Sequence, residues 1–251
     1  MPSVQVKAIV PVFPGTNSEY DSCAALDKAG FSSRQVIIRN ITPSALSESI
    51  SELASAIRES KVVFIPGGVS GGDEPEGSAK FISAVFRNPA VTDAVNELLY
   101  ANDGLMLGIC NGFQALVKLG LVPFGEIRDI GEDCPTLTFN NVGRHIAKYV
   151  TTTVCNANSP WLLKCELGGE YVLPVSHGEG RFIGSVPPGQ IVTRYVDNPN
   201  GSENDVEGII SPDGRVFGKM AHTERAGRFV AKNIPGNKGQ PIFESAYYYY
   251  N

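Results

Sequence analysis

Three stretches of this chain, Val4 to Val12, Lys61 to Ile65 and Leu105 to Ile109, run apolar without the regular polar alternation of a half-exposed strand. Runs of that kind fit strands covered on both faces, as in a parallel sheet between helical layers. What lies between them agrees. Thr16 and Glu19 have capping-box spacing, and Leu26, Ala29 and a stop at Gly30 complete a short helix. Gln35 to Ile38 reads as a second strand. Thr42-Pro43 places proline at a first helical position, and Leu46, Ile50, Leu53 and Ile57 follow as one apolar stripe. Val91, Ala94, Val95, Leu98 and Leu99 repeat the helical spacing before Asp103-Gly104 turns into the third apolar run. Strand and helix in alternation predict an α/β fold with a mostly parallel central sheet, right-handed crossovers and Val4 to Val12 in a central position.

From Thr136 the pattern changes to strands separated by turns. These are His145 to Val154, Tyr171 to Ser176, Gln190 to Tyr195, and Gly208 to Ala221 folded as a hairpin about Asp213-Gly214. They are expected to extend the same sheet with antiparallel strands, so that residues 1–251 form a single domain. No stretch approaches the roughly 18 uninterrupted apolar residues of a membrane span. The 21 basic residues against 26 acidic ones give a net charge of -5 with no basic run, so neither a membrane nor nucleic acid is an expected partner. Five cysteines, at 23, 110, 134, 155 and 165, fit neither a paired framework nor a CxxC metal site. Free thiols in a reducing cytoplasm, with no metal, are the simplest expectation. The Tyr247 to Tyr250 run has no purpose visible in the sequence.

The chemistry concentrates at Gly108-Ile109-Cys110-Asn111-Gly112, which has the spacing of a nucleophile elbow between a buried strand and a helix. Glycines flank the nucleophile because the turn is too tight for side chains there. The partial positive charge of a helix N-terminus favours a thiolate, and the next backbone N–H can point at an oxyanion. Cys23, Cys134, Cys155 and Cys165 lack this setting and read as structural. A thiolate needs a base, and three histidines are available. His145 opens an alternating strand with no acid at a useful spacing, which suits a surface or packing residue. His177-Gly178-Glu179 and His222-Thr223-Glu224 are both His-x-Glu, and residues i and i+2 of an extended segment share a face. Either glutamate is therefore a candidate to orient its neighbour's imidazole, and the residues alone do not choose between them.

Beyond these local patterns, Phe13-Pro14-Gly15-Thr16-Asn17, Pro66-Gly67-Gly68, Gly108 to Gln114, Ser176 to Phe182 and His222-Thr223-Glu224-Arg225 together resemble the glutaminase part of phosphoribosylformylglycinamidine synthase, a triad glutamine amidotransferase of purine biosynthesis. The resemblance implies a flavodoxin-like fold, a triad of Cys110, His222 and Glu224, and glutamine binding by Gln114 and the Gly67-Gly68 loop. It further implies an oxyanion hole from the N–H groups of Gly68 and Asn111. His177, Glu179 and Arg181 would then face a partner or order a loop. The implied partner is a synthase module that uses ATP and Mg and receives ammonia; no P-loop or other ATP signature occurs in this chain. Two departures stand out: Thr223 sits where the family usually has proline, and Ser18 where it often has cysteine. Gly71-Gly72-Asp73-Glu74-Pro75 is similar to the C-terminal portion of the long, single-chain synthases. The glycines from Gly67 to Gly77 suit a loop that assembles the oxyanion hole only when the partner docks. Two other readings use the same elbow: a thiol hydrolase or DJ-1-like protein, which commonly has histidine where Asn111 stands, and a non-catalytic docking module.

Overall fold

A computed structural model describes residues 5–69 and 78–251. The first half alternates strand and helix: β1 (Lys7–Val12), α1 (Glu19–Ala29), β2 (Ser32–Ile37), α2 (Pro43–Arg58), β3 (Val62–Ile65), α3 (Lys80–Phe86), α4 (Pro89–Asn96), β4 (Leu105–Ile109), α5 (Asn111–Leu119) and the single turn α6 (Leu121–Phe124). The second half adds β5 (Thr136–Phe139), β6 (Ile146–Val154), β7 (Glu170–His177), β8 (Glu179–Ile183), β9 (Ile191–Tyr195), β10 (Val206–Ile210), β11 (Val216–Lys219) and a closing helix α7 (Ile242–Tyr249).

Nine strands form one sheet in the order β2-β1-β3-β4-β11-β10-β9-β6-β7, and β5 pairs with β8 separately. The first five are parallel, and every pairing from β11 to β7 is antiparallel. The parallel core and the antiparallel extension are those expected from the sequence. Its order is not. β1 lies next to the edge strand β2, while β4 and β11 hold the middle. A run apolar on both faces reports only that helices cover both faces, which is as true one strand from the edge as at the centre. All residues of β3 and β4 are buried. The helices make two mutually touching groups, α2 to α5 in one and α1 with α7 in the other.

Local rules hold where nothing competes with them. Thr42 caps α2, its side chain accepting from the Ala45 N–H at 3.1 Å, with Pro43 at the first position. The hairpin turns at Asp213-Gly214 between β10 and β11. The Thr16–Glu19 capping box does not form. Thr16 Oγ1 accepts from the Phe13 N–H at 3.0 Å, and α1 starts after Ser18, which makes no side-chain cap. Thr16 instead faces Gly68 in an isolated bridge, so the loop before α1 is spent on holding the loop after β3.

The tyrosine run lies at the opposite end of the strands from Cys110. Tyr247 packs edge-on against Phe31, with ring centres 5.2 Å apart. The Tyr250 hydroxyl donates to the carbonyls of Lys61 and Asp103, just ahead of β3 and β4.

Candidate active site

Cys110 follows β4 directly and serves as the N-cap of α5, with φ 55° and ψ -109°. A non-glycine residue in so sparsely populated a region costs about 1–3 kcal/mol and persists only where its surroundings impose it. The surroundings here are the two glycines. A Cβ on Gly108 would lie 2.5 Å from the Gly112 carbonyl oxygen, and one on Gly112 would lie 1.9 Å from that of Ile65. The Cys110 N–H donates to the Lys219 carbonyl at 2.9 Å, which anchors the elbow to β11. Its buried thiol donates to the Ser176 carbonyl, 3.7 Å away.

The two His-x-Glu segments are built differently. His222 and Glu224 follow the end of β11 and are both buried, with Nδ1 2.6 Å from Glu224 Oε1. Burial opposes the imidazolium, but the Glu224 carboxylate and the adjoining Cys110 outweigh it, and the His222 pKa is raised to about 10. Gly67 packs against both partners, since a Cβ there would lie 2.6 Å from His222 Cε1 and 3.3 Å from Cys110 Cβ.

His177, by contrast, is the last of the buried alternate positions Tyr171, Leu173, Val175 and His177 of β7. Its Nδ1 meets Asn140 Oδ1 at 3.0 Å, while Asn140 Nδ2 donates to the carbonyls of His177 and Arg144. With the amide so oriented, the imidazole proton sits on Nδ1 and Nε2 is left buried without a partner among the described residues. Burial first, then His145 and His222, depress its pKa to about 4. Glu179 does not orient it. Glu179 Oε2 accepts from the N–H and hydroxyl of Ser78 at 2.9 and 3.0 Å. The shared-face argument fails at this pair because the chain is not one extended strand there: β7 ends at His177, and β8 opens at Glu179 to pair with β5.

A cavity of about 100 Å³ opens beside Cys110, lined among others by Gly68, Gln114, His145, Ser176 and His177. Gln114 spans its floor, its Nε2 donating to the Glu179 carbonyl and its Oε1 accepting from Asn111 Nδ2 at 3.0 Å. Asn17 N–H to Gly67 C=O and Val69 N–H to Gly15 C=O fix the loop that carries Gly68.

Residues 5–250 match the model of the CobB/CobQ-like glutamine amidotransferase domain. The chain belongs to the glutamine amidotransferases. It is 30% identical over 245 residues to the phosphoribosylformylglycinamidine synthase subunit PurQ of Thermotoga maritima, covering 95% of each chain. The corresponding subunit of Lacticaseibacillus casei is 32% identical, over 96% of this chain and 94% of that one. A solved structure of PurLQS from Thermotoga maritima superposes with a TM-score of 0.75 at 28% identity, covering 99% of this chain and 100% of the matched one. The glutaminase domain of Trypanosoma brucei CTPS, at 11% identity and a TM-score of 0.52 over 96% of this chain and 91% of that one, shares the fold.

Within this amidotransferase, Cys110, His222, Glu224, Gly67, Gly68, Asn111 and Gln114 come together in one place. Cys110, Gly68 and Gln114 line the cavity, whereas His222, Glu224, Gly67 and Asn111 are not among its lining residues. Arg181, on β8, donates from Nε to the Gly201 carbonyl at 3.2 Å. His145 is exposed, yet it lines the cavity and its Nε2 contacts Ser176 Oγ at 3.0 Å. Sequence spacing offered no signal for it, nor for Asn140 or Ser78. All five cysteines are unpaired, and Cys155 is exposed, not packed in the interior. Among the described residues, no cluster of His, Cys, Asp and Glu is suited to a metal ion and no helix is long and apolar enough to cross a membrane. Gly71, Gly72, Gly77 and the Asp73-Glu74-Pro75 stretch lie outside the described residues.

Proposed function

We propose that Cys110, His222 and Glu224 hydrolyse glutamine in a single domain spanning residues 1–251, with Gly67, Gly68, Asn111 and Gln114 serving the substrate. The chain is the glutaminase component of a phosphoribosylformylglycinamidine synthase and acts in purine biosynthesis. In the proposed mechanism the Cys110 thiolate attacks the side-chain amide carbon of L-glutamine, forming a carbon–sulfur bond. The N–H groups of Gly68 and Asn111 receive the developing oxyanion. His222 then protonates the departing nitrogen as the carbon–nitrogen bond breaks, and ammonia leaves a thioester. A water gives its proton to His222 and its oxygen to the acyl carbon, and glutamate departs as sulfur returns to thiolate. Acid–base help of this kind contributes about 10²- to 10⁴-fold, and each oxyanion donor about 3 kcal/mol.

The observation that carries this reading is the 2.6 Å contact between His222 Nδ1 and Glu224 beside the thiol. It is the arrangement that holds an imidazole in the tautomer a nucleophile needs. The twin segment supports it by contrast, because His177 is held by an amide and Glu179 by a serine. Glu179 and Arg181 are read as loop-ordering: one holds Ser78, the other the Gly201 carbonyl.

The partner is taken to be a cytoplasmic synthase module that uses ATP and Mg to convert formylglycinamide ribonucleotide to its amidine; this chain would hold no cofactor. Ammonia released without an acceptor is protonated and lost, so glutaminase activity is expected to be low in the isolated chain and raised by the synthase with its nucleotide substrates. Glutamate release measured in both mixtures tests the assignment. No release in the complete mixture, or full release after Cys110→Ala, refutes it.

A further inference from the structure

Lys219 is one of the largest side chains with no exposure at all, and it sits directly behind the His222–Glu224 turn. A buried ammonium is tolerated only when its donors are satisfied. Its three N–H bonds have three acceptors: Glu207 Oε1 at 3.3 Å, the Ala221 carbonyl at 2.8 Å and Thr223 Oγ1 at 2.8 Å. Two of the three belong to the turn that carries the proposed base. Glu207, equally buried on β10, holds the same turn from the other side by accepting the Ala221 N–H at 2.8 Å. Thr223 Oγ1 in turn donates to Gln240 Oε1 at 2.7 Å. The main-chain carbonyl of Lys219 meanwhile holds the Cys110 N–H. One residue thus holds the nucleophile through its backbone and, through its side chain, the two residues that flank the proposed base.

We propose that Lys219, Glu207 and Thr223 are positioning residues that set the His222–Glu224 pair against Cys110, an inference that rests on the triad assigned above. Buried ion pairs add little to stability compared with apolar residues of the same volume, so their value lies in geometry. A methionine at 219 would fill the space without reaching the turn. The hydroxyl at 223 has a role that a residue without a side-chain oxygen cannot fill, because Lys219 would then lose one of its three acceptors.

The test separates geometry from folding. Lys219→Met with Glu207→Gln removes both charges while leaving an amide oxygen for the Ala221 N–H. Thr223→Ser keeps the hydroxyl, and Thr223→Val removes it at nearly constant volume. Glutamate release is measured with saturating synthase and its nucleotide substrates. The double variant is expected to melt near the parent while kcat falls about tenfold or more, since displacements near 1 Å cost up to about 10²-fold, and KM for glutamine stays within about twofold. Thr223→Ser should keep the parental kcat and Thr223→Val should lose about tenfold. Should the double variant fail to fold, the serine and valine pair decides alone. Parental kcat in the folded double variant, or equal kcat for serine and valine at 223, overturns the positioning role. A parent that releases no glutamate in the complete mixture overturns the triad beneath it.

Discussion

Gly67 offers the sharpest perturbation of the proposed triad, because it can be changed without touching a reacting atom. An alanine Cβ there would lie 2.6 Å from His222 Cε1, with Ser18 Oγ at 3.0 Å and Cys110 Cβ at 3.3 Å. Carbon atoms rest about 3.5–4.0 Å apart, so the imidazole must retreat by about 1 Å. It cannot rotate away freely, since Nδ1 is tied to Glu224 and the ring is buried. A 1 Å misplacement costs on the order of 10²-fold in rate, close to 2.7 kcal/mol in the barrier. Overpacking by one methyl costs about 1–3 kcal/mol of folding stability, which a domain of ordinary stability survives. Gly67→Ala should therefore remain folded, with glutamate release at saturating glutamine and synthase lowered about 10²-fold. Gly189→Ala serves as control, since nothing lies within 4 Å of its added methyl. A folded Gly67→Ala protein with a rate within about twofold of the parent would refute the reasoning, because His222 would then not be confined between Gly67 and Glu224.

The other expectations concern individual side chains. A glutamine analogue bearing a diazoketone should label Cys110 and spare the other four cysteines; mass mapping that finds the label on Cys134 or Cys155 instead would remove the nucleophile assignment. His222→Ala should lower kcat by about 10² or more, and His177→Ala should act chiefly on glutamine affinity or on coupling to the synthase. The opposite ranking would exchange their roles. Because the His222 pKa is raised to about 10, the folded chain favours the imidazolium, and this contribution to stability is complete below the ordinary value near 6.5 and lost as pH rises through about 10. The melting deficit of Glu224→Gln against the parent should accordingly shrink between about pH 6 and pH 10, and a deficit that grows over that range contradicts the ion pair. His177, depressed to about 4, has the reverse sign: its contribution is present above about 6.5 and lost as pH falls toward 4, so His177→Gln should flatten the acid limb of the stability curve.

The elements readable in advance are those whose cause lies within a few residues. The spacing of Gly108, Cys110 and Gly112 marks a tight turn, and the clash of a Cβ on Gly108 with the Gly112 carbonyl bears out the steric reason, whereas Gly112 is required by the approach of Ile65 on β3, which spacing does not show. Thr42 with Pro43 starts α2, Asp213-Gly214 turns a hairpin, and apolar runs without alternation mark strands covered on both faces. A local signal also fails where another local partner takes the same group, as when Thr16 Oγ1 accepts from the Phe13 N–H instead of capping α1.

The choice between two identical His-x-Glu spellings is not local. At the level of residues i and i+2, both pairs are equivalent. What separates them are partners brought from far along the chain: Asn140 is 37 residues from His177, and Ser78 is 101 from Glu179. The same holds for Tyr249 on Asp103, 146 residues away, which gives part of the tyrosine run its place. The sequence by itself determined the strand–elbow–helix that presents Cys110, because apolar periodicity and the Gly108–Gly112 contact act over one strand or one turn. Only the tertiary structure decided which imidazole meets a carboxylate and why a lysine is buried behind it, because hydrogen bonds and charge burial depend on which strands the fold lays side by side.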